Sequence, residues 1–252
     1  MNKQQALFEY CLRLGDTSLI LGQRLSEWCG HGPILEEDIG LTNISLDYIG
    51  HATSILKYAA LVENKGRTED DLAYQRNERD FKNALLVEQP NGDYACTIAR
   101  QFLFSVFAFY LYEELKKSKD ETLAGIAAKA LKEITYHLRH STEWMYRMGD
   151  GTEESHIRMQ NALNDLWMFT GDLFEMHEAD ALMIKEGVGV DLKMIRSKWE
   201  KHIDEVVKKA TLKIPSETFM QKGSLEGKHT EHLGYILAEM QYLPRTYPDA
   251  TW

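Results

Sequence analysis

Two short stretches, LDYIGH at residues 46–51 and KEITYH at residues 132–137, each place a carboxylate four residues before a histidine. The pairs are Asp47 with His51 and Glu133 with His137. Residues four apart lie on the same face of an α-helix, so each stretch predicts a helix that projects a carboxylate and an imidazole to one side. The chain therefore carries two helices of the same kind.

Each of these two helices is preceded by another predicted helix that carries a polar residue. The number of residues from that polar residue to the carboxylate is nearly the same in both cases. Asp16 precedes Asp47 by 31 residues, and Gln101 precedes Glu133 by 32. Ferritin-like di-metal bundles take one Glu from each of two helices and a Glu-x-x-His from each of the other two. The repeated pattern therefore predicts an all-α protein with a ferritin-like four-helix bundle core and additional C-terminal helices.

Several positions of this pattern hold residues that are poor metal ligands. The residue three after Asp47 is Gly50, the residue three after Glu133 is Tyr136, and the amide Gln101 stands where the first pair has Asp16. The sequence therefore predicts no catalytic residue and no resident metal, only these degenerate di-metal positions: Asp16, Asp47, Gly50, His51, Gln101, Glu133, Tyr136 and His137.

Two interpretations of these positions remain open at the level of sequence. The favoured one makes Asp47 with His51, and Glu133 with His137, hydrogen-bonded pairs in a protein interior. The alternative is a self-sufficient di-metal carboxylate oxidase or oxygenase, which would use this same Asp/Glu/His cluster together with Asp16. A third class, a ferritin-like storage protein, is disfavoured by the long loops and the irregular tail.

Composition excludes several classes of protein. A chain of 252 residues with 44% hydrophobic content is compatible with one domain, and its net charge of −10 argues against a nucleic-acid partner. The three cysteines, Cys11, Cys29 and Cys96, form no Cys-x-x-Cys pair and are expected to be reduced, as in a cytoplasmic protein. No stretch approaches 18 uninterrupted apolar residues, so we expect neither a signal peptide nor a membrane span.

The spacing of apolar residues and of the five prolines predicts the order of helices. We expect a single domain, residues 1–252, made of a bundle core at about 3–149, accessory helices within 154–243 and a non-helical tail at 244–252. The predicted helices cover residues 41–62, 94–117, 121–148, 154–185, 192–212 and 230–243, after a first helix that ends at Gly30. A short helix is expected within the polar stretch 67–82, and a loop at 215–229.

The first helix is apolar on two sides. Leu14, Leu21 and Leu25 form one stripe, and Leu12, Leu19 and Ile20 lie on the opposite side. A helix that is apolar on two sides is covered on two sides, so we expect it to pack on the bundle and also on a partner protein.

The predicted loop contains the glycines and lysines of KGSLEGKH at residues 222–229. Such a loop offers backbone N–H groups and charges to a phosphate, which makes Lys222 and Lys228 candidates for contact with a phosphate or with CoA. The spacing of a phosphate-binding loop is absent, however, and the sequence favours a flexible, solvated connection.

Four stretches carry a resemblance to a known family. They are LRLGDTSLILGQRLSEWCGHGP at residues 12–33, LLVEQPNGDYACTIARQ at 85–101, KEITYHLRHS at 132–141 and GKHTEHLGYILAEMQYLPRTYP at 227–248. Together they resemble the C-subunit family of bacterial phenylacetyl-CoA epoxidases, and the similarity spans nearly the whole chain.

The resemblance implies a ferritin-like helical subunit of a multicomponent monooxygenase in aerobic phenylacetate breakdown. The expected partners are a homologous catalytic A subunit that holds the di-iron centre, and other epoxidase components that include a reductase. An acyl-CoA at the partner interface is also expected. The C subunit itself is implied to be structural and non-catalytic, with no cofactor of its own, which agrees with Gly50, Tyr136 and Gln101 at ligand positions.

Overall fold

The computed structural model describes residues 1–216, 218–248 and 250. Throughout this part of the chain, the regular elements are α-helices and short 3-10 helices. The all-α, ferritin-like fold class predicted from the sequence is confirmed. The predicted single domain contains two compact units: unit 1 comprises Met1–Gln89, His177–Met183 and Gly223–Trp252, and unit 2 comprises Pro90–Met176 and Ile184–Lys222.

Unit 1 is built on two long antiparallel helices. Its helices are α1 (Lys3–Ser26), α2 (Leu35–Glu63), α3 (Glu69–Tyr74), α9 (Glu231–Met240) and α10 (Tyr242–Thr246). Asn2 begins α1 with a capping box, in which its side chain accepts from the Gln5 N–H and the Gln5 side chain accepts from the Asn2 N–H. Gly15 and Gly22 of α1 face Leu56 and Ile49 of α2, which sets the antiparallel register.

The first helix is buried on both of its apolar sides, as its pattern predicts. Leu14, Leu21 and Leu25 are buried, and so are Leu12, Leu19 and Ile20 on the opposite side. The helix packs against α2, the 3-10 helix Leu85–Glu88 and α9. The expectation that one side of α1 would meet a partner protein is therefore wrong, because the chain itself covers that helix.

Unit 2 has an apolar helix at its centre. Its helices are α4 (Tyr94–Leu115), α5 (Glu121–Gly149), α6 (Glu153–Trp167) and α8 (Leu192–Lys209), and α7 (Glu178–Lys185) begins in unit 1. Asp93 caps α4 by accepting from the Cys96 N–H at 2.9 Å. The indole of Trp199 on α8 donates to the Leu103 carbonyl of α4 at 2.9 Å.

The length and composition of α4 would also suit a membrane span. However, 78% of its most apolar 18-residue segment is buried inside the protein, as expected for the core helix of a unit that packs α5, α6 and α8 around it. Phe102, Phe104, Phe107 and Tyr112 of this helix are buried, whereas Phe109 and Tyr110 are partly exposed.

Four predicted boundaries are wrong. The first helix ends at Ser26 rather than at Gly30, because turns replace the helix from Glu27 onward. The second helix begins at Leu35 rather than at residue 41, because the chain becomes helical directly after Pro33 and Ile34. The predicted helix at 154–185 is divided into α6, the 3-10 helix Gly171–Phe174 and α7. The predicted non-helical tail starts inside α10, where Pro244 is tolerated in the first helical turn because its missing N–H needs no partner there. Residue 217 of the predicted loop, and residues 249, 251 and 252 of the tail, lie outside the described residues.

Candidate functional site

The carboxylate of Asp16, on α1, is fully buried and is bound by an arginine. Arg76 donates from Nη1 to Oδ2 at 2.9 Å, and its Nη2 donates to Oδ1. The backbone N–H of Lys82 donates to Oδ2 as well, at 2.9 Å. Both oxygens of Asp16 are thus engaged, and a guanidinium balances their charge.

The arginine that binds Asp16 is itself held from several directions. Its guanidinium carbon lies 4.3 Å from the centre of the Phe81 ring, within the range of a cation–π interaction. The carbonyl of Arg76 accepts from the Gln241 side chain at 3.0 Å and from Arg245 at 2.7 Å. The pair therefore ties α1 to the segment after α3 and to the C-terminal helices, which is a structural arrangement.

On α2 the buried face differs from the one expected. His51 is buried, and so is Tyr48, whose ring meets the imidazole edge-on with the ring centres 5.7 Å apart. Asp47 is only partly buried. Gly50 lies on the exposed side of the helix, where a Cβ atom would meet nothing within 4 Å.

The corresponding residues of unit 2 repeat this arrangement. His137 and Ile134 of α5 are buried, Glu133 is partly buried, and Tyr136 is 41% exposed. Gln101 of α4 is fully buried and donates from Nε2 to the hydroxyl of Ser105 at 2.9 Å.

The register of the buried residues follows from these positions. The buried residue three before His51 is Tyr48, and the buried residue three before His137 is Ile134. Gly50 and Tyr136, which were expected at ligand positions because they follow Asp47 and Glu133 by three, lie instead on exposed faces. Tyr48 and Ile134 were not predicted as part of these buried faces, although each precedes a histidine by three residues, which is a spacing that shares a helix face.

Among the residues that the structure describes, no group of three or more His, Cys, Asp or Glu side chains is placed to hold a metal ion. The predicted residues Asp16 and Gln101 have different partners. In unit 1 Arg76 donates to Asp16, and in unit 2 Gln101 donates to Ser105.

The two loop lysines are both engaged with carboxylates. Lys222 Nζ lies 2.6 Å from Glu175, and Lys228 Nζ lies 2.5 Å from Glu226. Both lysines and Glu226 are exposed and Glu175 is partly exposed, so these ion pairs are weak and exchangeable. A phosphate or CoA contact at Lys222 and Lys228 stays a prediction.

A second buried polar cluster joins the stretch at residues 85–101 to the stretch at residues 227–248. It was not predicted as a site from the sequence. Glu88 of the VEQPNGD stretch accepts four hydrogen bonds: from Asn83 Nδ2 at 2.8 Å, His229 Nδ1 at 2.9 Å, Thr230 N at 2.6 Å and Thr230 Oγ1 at 2.8 Å. His229 Nε2 also donates to the Phe81 carbonyl at 3.0 Å. The cluster fastens the stretch before α9 to the segment after α3.

Both ring nitrogens of His229 face oxygen atoms. A carbonyl oxygen only accepts, so Nε2 carries a hydrogen, and a proton also lies between Nδ1 and the Glu88 carboxyl group. The side chains of both residues are fully buried. The pair therefore joins the segment after α3 to the stretch before α9 in the interior of unit 1.

Comparisons with known proteins agree with the motifs. The family model described as phenylacetic acid catabolic protein matches residues 1–252. The chain is 49% identical, over 246 residues, to the C subunit of the 1,2-phenylacetyl-CoA epoxidase of Escherichia coli strain K12, and the match covers 98% of this chain and 99% of that protein. The chain belongs to the phenylacetic acid catabolic protein family.

Proposed function

We propose that this chain is the non-catalytic structural subunit of a multicomponent phenylacetyl-CoA ring epoxidase in the cytoplasm. It binds and stabilises a homologous di-iron catalytic subunit, which works with further components that include a reductase. The full-length similarity to the C subunit of a 1,2-phenylacetyl-CoA epoxidase supports the pathway and the multisubunit assembly. The arrangement of its buried polar residues supports the non-catalytic role.

The observation that carries the proposal is the set of side chains on the buried faces of the four long helices. A ferritin-like di-metal site needs a carboxylate on each helix and a histidine three residues after two of them. In the register of the buried histidines, Tyr48 and Ile134 take carboxylate positions, and Gln101 takes a third. The remaining one is Asp16, whose charge Arg76 already balances.

These residues do not fit a di-iron centre. Iron that is held by oxygen and imidazole ligands needs carboxylates to balance its charge. Asp16 is the buried carboxylate among these four positions, and the arginine beside it opposes a second cation. Asp47 and Glu133 are carboxylates, but each is partly exposed and lies four residues, rather than three, before its histidine. We therefore propose that the di-iron chemistry belongs to the partner subunit.

The first test is the metal content of the purified chain. After anaerobic reconstitution with ferrous iron and removal of loosely bound metal, we expect a colourless, folded protein without stoichiometric iron. The rival function, a self-sufficient di-metal oxygenase, requires about two irons per chain. Elemental analysis that finds this amount would overturn the non-catalytic assignment.

The second test is association. Co-expression with the homologous catalytic subunit is expected to give a stable complex in size-exclusion chromatography with light scattering. Epoxidation of phenylacetyl-CoA should require both chains. A catalytic subunit that is equally soluble and active without this chain would contradict the structural role, whatever the iron content.

A further inference from the structure

An open groove lies on unit 1, between the 3-10 helix Glu78–Asp80 and the C-terminal helices α9 and α10. We call it the α9 groove. Its volume is about 360 Å³, which is within the range of sites that bind small molecules. Its lining includes Glu78, Gly234, Leu237, Gln241, Tyr242 and Arg245, which all belong to unit 1.

Gln241 gives the groove an acceptor that is fixed in direction. The residue is 4% exposed, and its Nε2 donates to the Ala73 and Arg76 carbonyls at 3.1 and 3.0 Å. Because carbonyl oxygens only accept, the amide cannot be turned over. Its Oε1 accepts no hydrogen bond in the part of the chain that the structure describes. A polar side chain this deeply buried normally has its groups paired, so Oε1 favours a ligand that donates a hydrogen bond.

The carboxylate of Glu78 is a second acceptor in the groove. Glu78 is exposed, and its side chain makes no hydrogen bond or ion pair with the described residues. A carboxylate and an amide oxygen that line one groove suit the several N–H donors of a protonated amine.

Gly234 keeps the groove open beside this carboxylate. The residue lies inside α9 and has helical backbone angles, so its conformation does not require glycine. A Cβ atom there would meet Glu78 Oε2 at 3.5 Å, an ordinary contact distance, and alanine would favour the helix. Neither the backbone nor the packing demands a glycine at this position. A larger side chain, however, would occupy the space next to Glu78.

Arg245 supplies the positive charge of the groove. Its Nε donates to the Tyr74 carbonyl at 2.9 Å, and its Nη2 donates to the Arg76 carbonyl at 2.7 Å. These bonds hold the guanidinium in place, and its Nη1 has no partner among the described residues. A guanidinium that is fixed in this way and keeps a free N–H suits a carboxylate.

The two charges decide between classes of ligand. Arg245 would attract a simple carboxylate but Glu78 would repel it, and a simple amine would meet the reverse. A ligand with both groups is attracted by both residues. Leu237 and the ring of Tyr242, which is 63% exposed, add apolar surface for the rest of such a ligand.

We propose that the α9 groove binds a free amino acid with an aromatic or large aliphatic side chain. The ammonium group donates to Glu78 and to Gln241 Oε1, the carboxylate accepts from Arg245 Nη1, and the side chain packs on Leu237 and Tyr242. The ligand thereby joins the segment after α3 to the C-terminal helices and stabilises unit 1. The site is independent of the proposed function, because it needs neither a metal nor a partner subunit.

Three matched probes test the site by isothermal titration calorimetry on the full chain. They are L-phenylalanine, phenylacetate, which lacks the amine, and 2-phenylethylamine, which lacks the carboxylate. We expect L-phenylalanine to bind with a Kd of about 1 mM or below, and each of the other two at least about fivefold more weakly, since each loses a charge-assisted hydrogen bond and keeps one repulsion. Phenylalanine should also raise the melting temperature of the chain.

Two variants locate the binding within the groove. Glu78→Gln keeps the size of the side chain and removes its charge, so phenylalanine should bind about fivefold more weakly or worse, whereas phenylacetate should not weaken. Gly234→Leu fills the groove and should abolish binding of all three probes. Glu239→Gln, at an exposed glutamate of α9 that does not line the groove, is the control and should leave each affinity within about twofold.

Circular dichroism melts verify that each variant is folded, as expected because neither Glu78 nor Gly234 is fully buried. Absence of saturable binding of L-phenylalanine up to about 10 mM would overturn the site. Equal affinity of the wild type for phenylalanine and for either other probe would overturn the amino-acid assignment, because one of the two charges would then contribute nothing. Unchanged binding of phenylalanine by both Glu78→Gln and Gly234→Leu would mean that the ligand binds elsewhere on the chain.

Discussion

Asp16 shows how a single neighbour changes what a buried carboxylate can do. In a metal site, such a carboxylate lends its charge to a cation. Here Arg76 supplies the cation, and the backbone N–H of Lys82 donates a further hydrogen bond to the carboxylate. The same side chain in the same type of helix therefore stabilises the fold by joining α1 to distant parts of unit 1.

Replacement of Arg76 by Met should destabilise the protein by about 3–5 kcal/mol, because it leaves the Asp16 charge buried without a partner. The double variant Arg76→Met with Asp16→Leu should recover most of that loss, since it removes both charges. Urea unfolding followed by circular dichroism measures the stability of the single and the double variant.

The control is Lys201→Ala, which removes an exposed ion pair with Glu205 at 3.9 Å and should leave the midpoint of urea unfolding unchanged. A double variant as unstable as the single one would contradict this account.

Glu88 is expected to be the most sensitive residue of the second buried cluster. Glu88→Ala removes the acceptor of four hydrogen bonds, and each unsatisfied buried donor costs about 1–3 kcal/mol, so we expect the variant to be largely unfolded. Glu88→Gln keeps one acceptor oxygen and should remain folded but less stable. Equal stability of the Ala and Gln variants in thermal melts would show that these bonds contribute little.

The sequence predicted the candidate positions better than their register. The i, i+4 spacing of Asp47 and His51 is compatible with one face, and so is the i, i+3 spacing of Tyr48 and His51. Only the packing of α2 distinguishes them, and it buries Tyr48. Arg76 was not predicted as the partner of Asp16, because residues 60 apart in the chain give no local pattern.

At the scale of helices, the glycines of α1 and α2 have opposite roles. Gly50→Ala should stabilise the isolated chain by about 0.5–1 kcal/mol, since alanine favours the helix and its Cβ meets open space. Gly22→Ala is the matched comparison: its Cβ would lie 2.9 Å from Ile49 Cδ1 and 3.3 Å from the Ile49 nitrogen, so it should destabilise. Thermal melts that rank the two variants in the reverse order would refute the packing of α1 on α2.

The contact of α4 with α8 introduces a pH dependence. Burial lowers the pKa of His202 below its ordinary value, although Glu205 opposes the shift, and its Nδ1 lies 3.1 Å from the Tyr110 hydroxyl. The unfolded chain therefore binds more protons at this residue, so its contribution to stability is lost as pH falls below about 6.5. We expect melting temperatures to decrease less between pH 7.5 and pH 5.5 in His202→Gln than in the wild type. An equal decrease in both proteins would exclude this residue as a source of the dependence.

Most helices were predictable because local signals mark their ends. Asp93 and Asp120 cap α4 and α5, and the apolar pattern of each helix begins directly after them. The interruption at residues 168–177 was missed, since no proline marks it and the apolar spacing continues across it. The end of α6 coincides with a tertiary contact that the local sequence does not reveal: the N–H of Gln221 donates to the Met168 carbonyl at 2.8 Å.

At the scale of the molecule, the chain completes unit 1 only with its last segment. Residues 223–252 return to the unit that residues 1–89 begin. Leu233, Ile236 and Leu237 of α9 are buried, and Gln241 Nε2 donates to the Ala73 and Arg76 carbonyls at 3.1 and 3.0 Å. The stretches at residues 12–33 and 227–248, which are far apart in the chain, therefore belong to one compact unit.

A variant that ends at Lys222 should consequently lose the cooperative folding of unit 1. It leaves Glu88 with only Asn83 among its four hydrogen bonds and uncovers the apolar surface beneath α9, so we expect its melting temperature to fall by at least about 10 °C. A variant that ends at Tyr247 retains α9 and α10 and should melt as the full chain does. Addition of residues 223–252 as a separate peptide should restore part of the loss, because the contacts need no covalent link. Unchanged melting of the shorter variant would mean that unit 1 is stable without its C-terminal part, and that the Glu88 cluster is not what holds the segment in place.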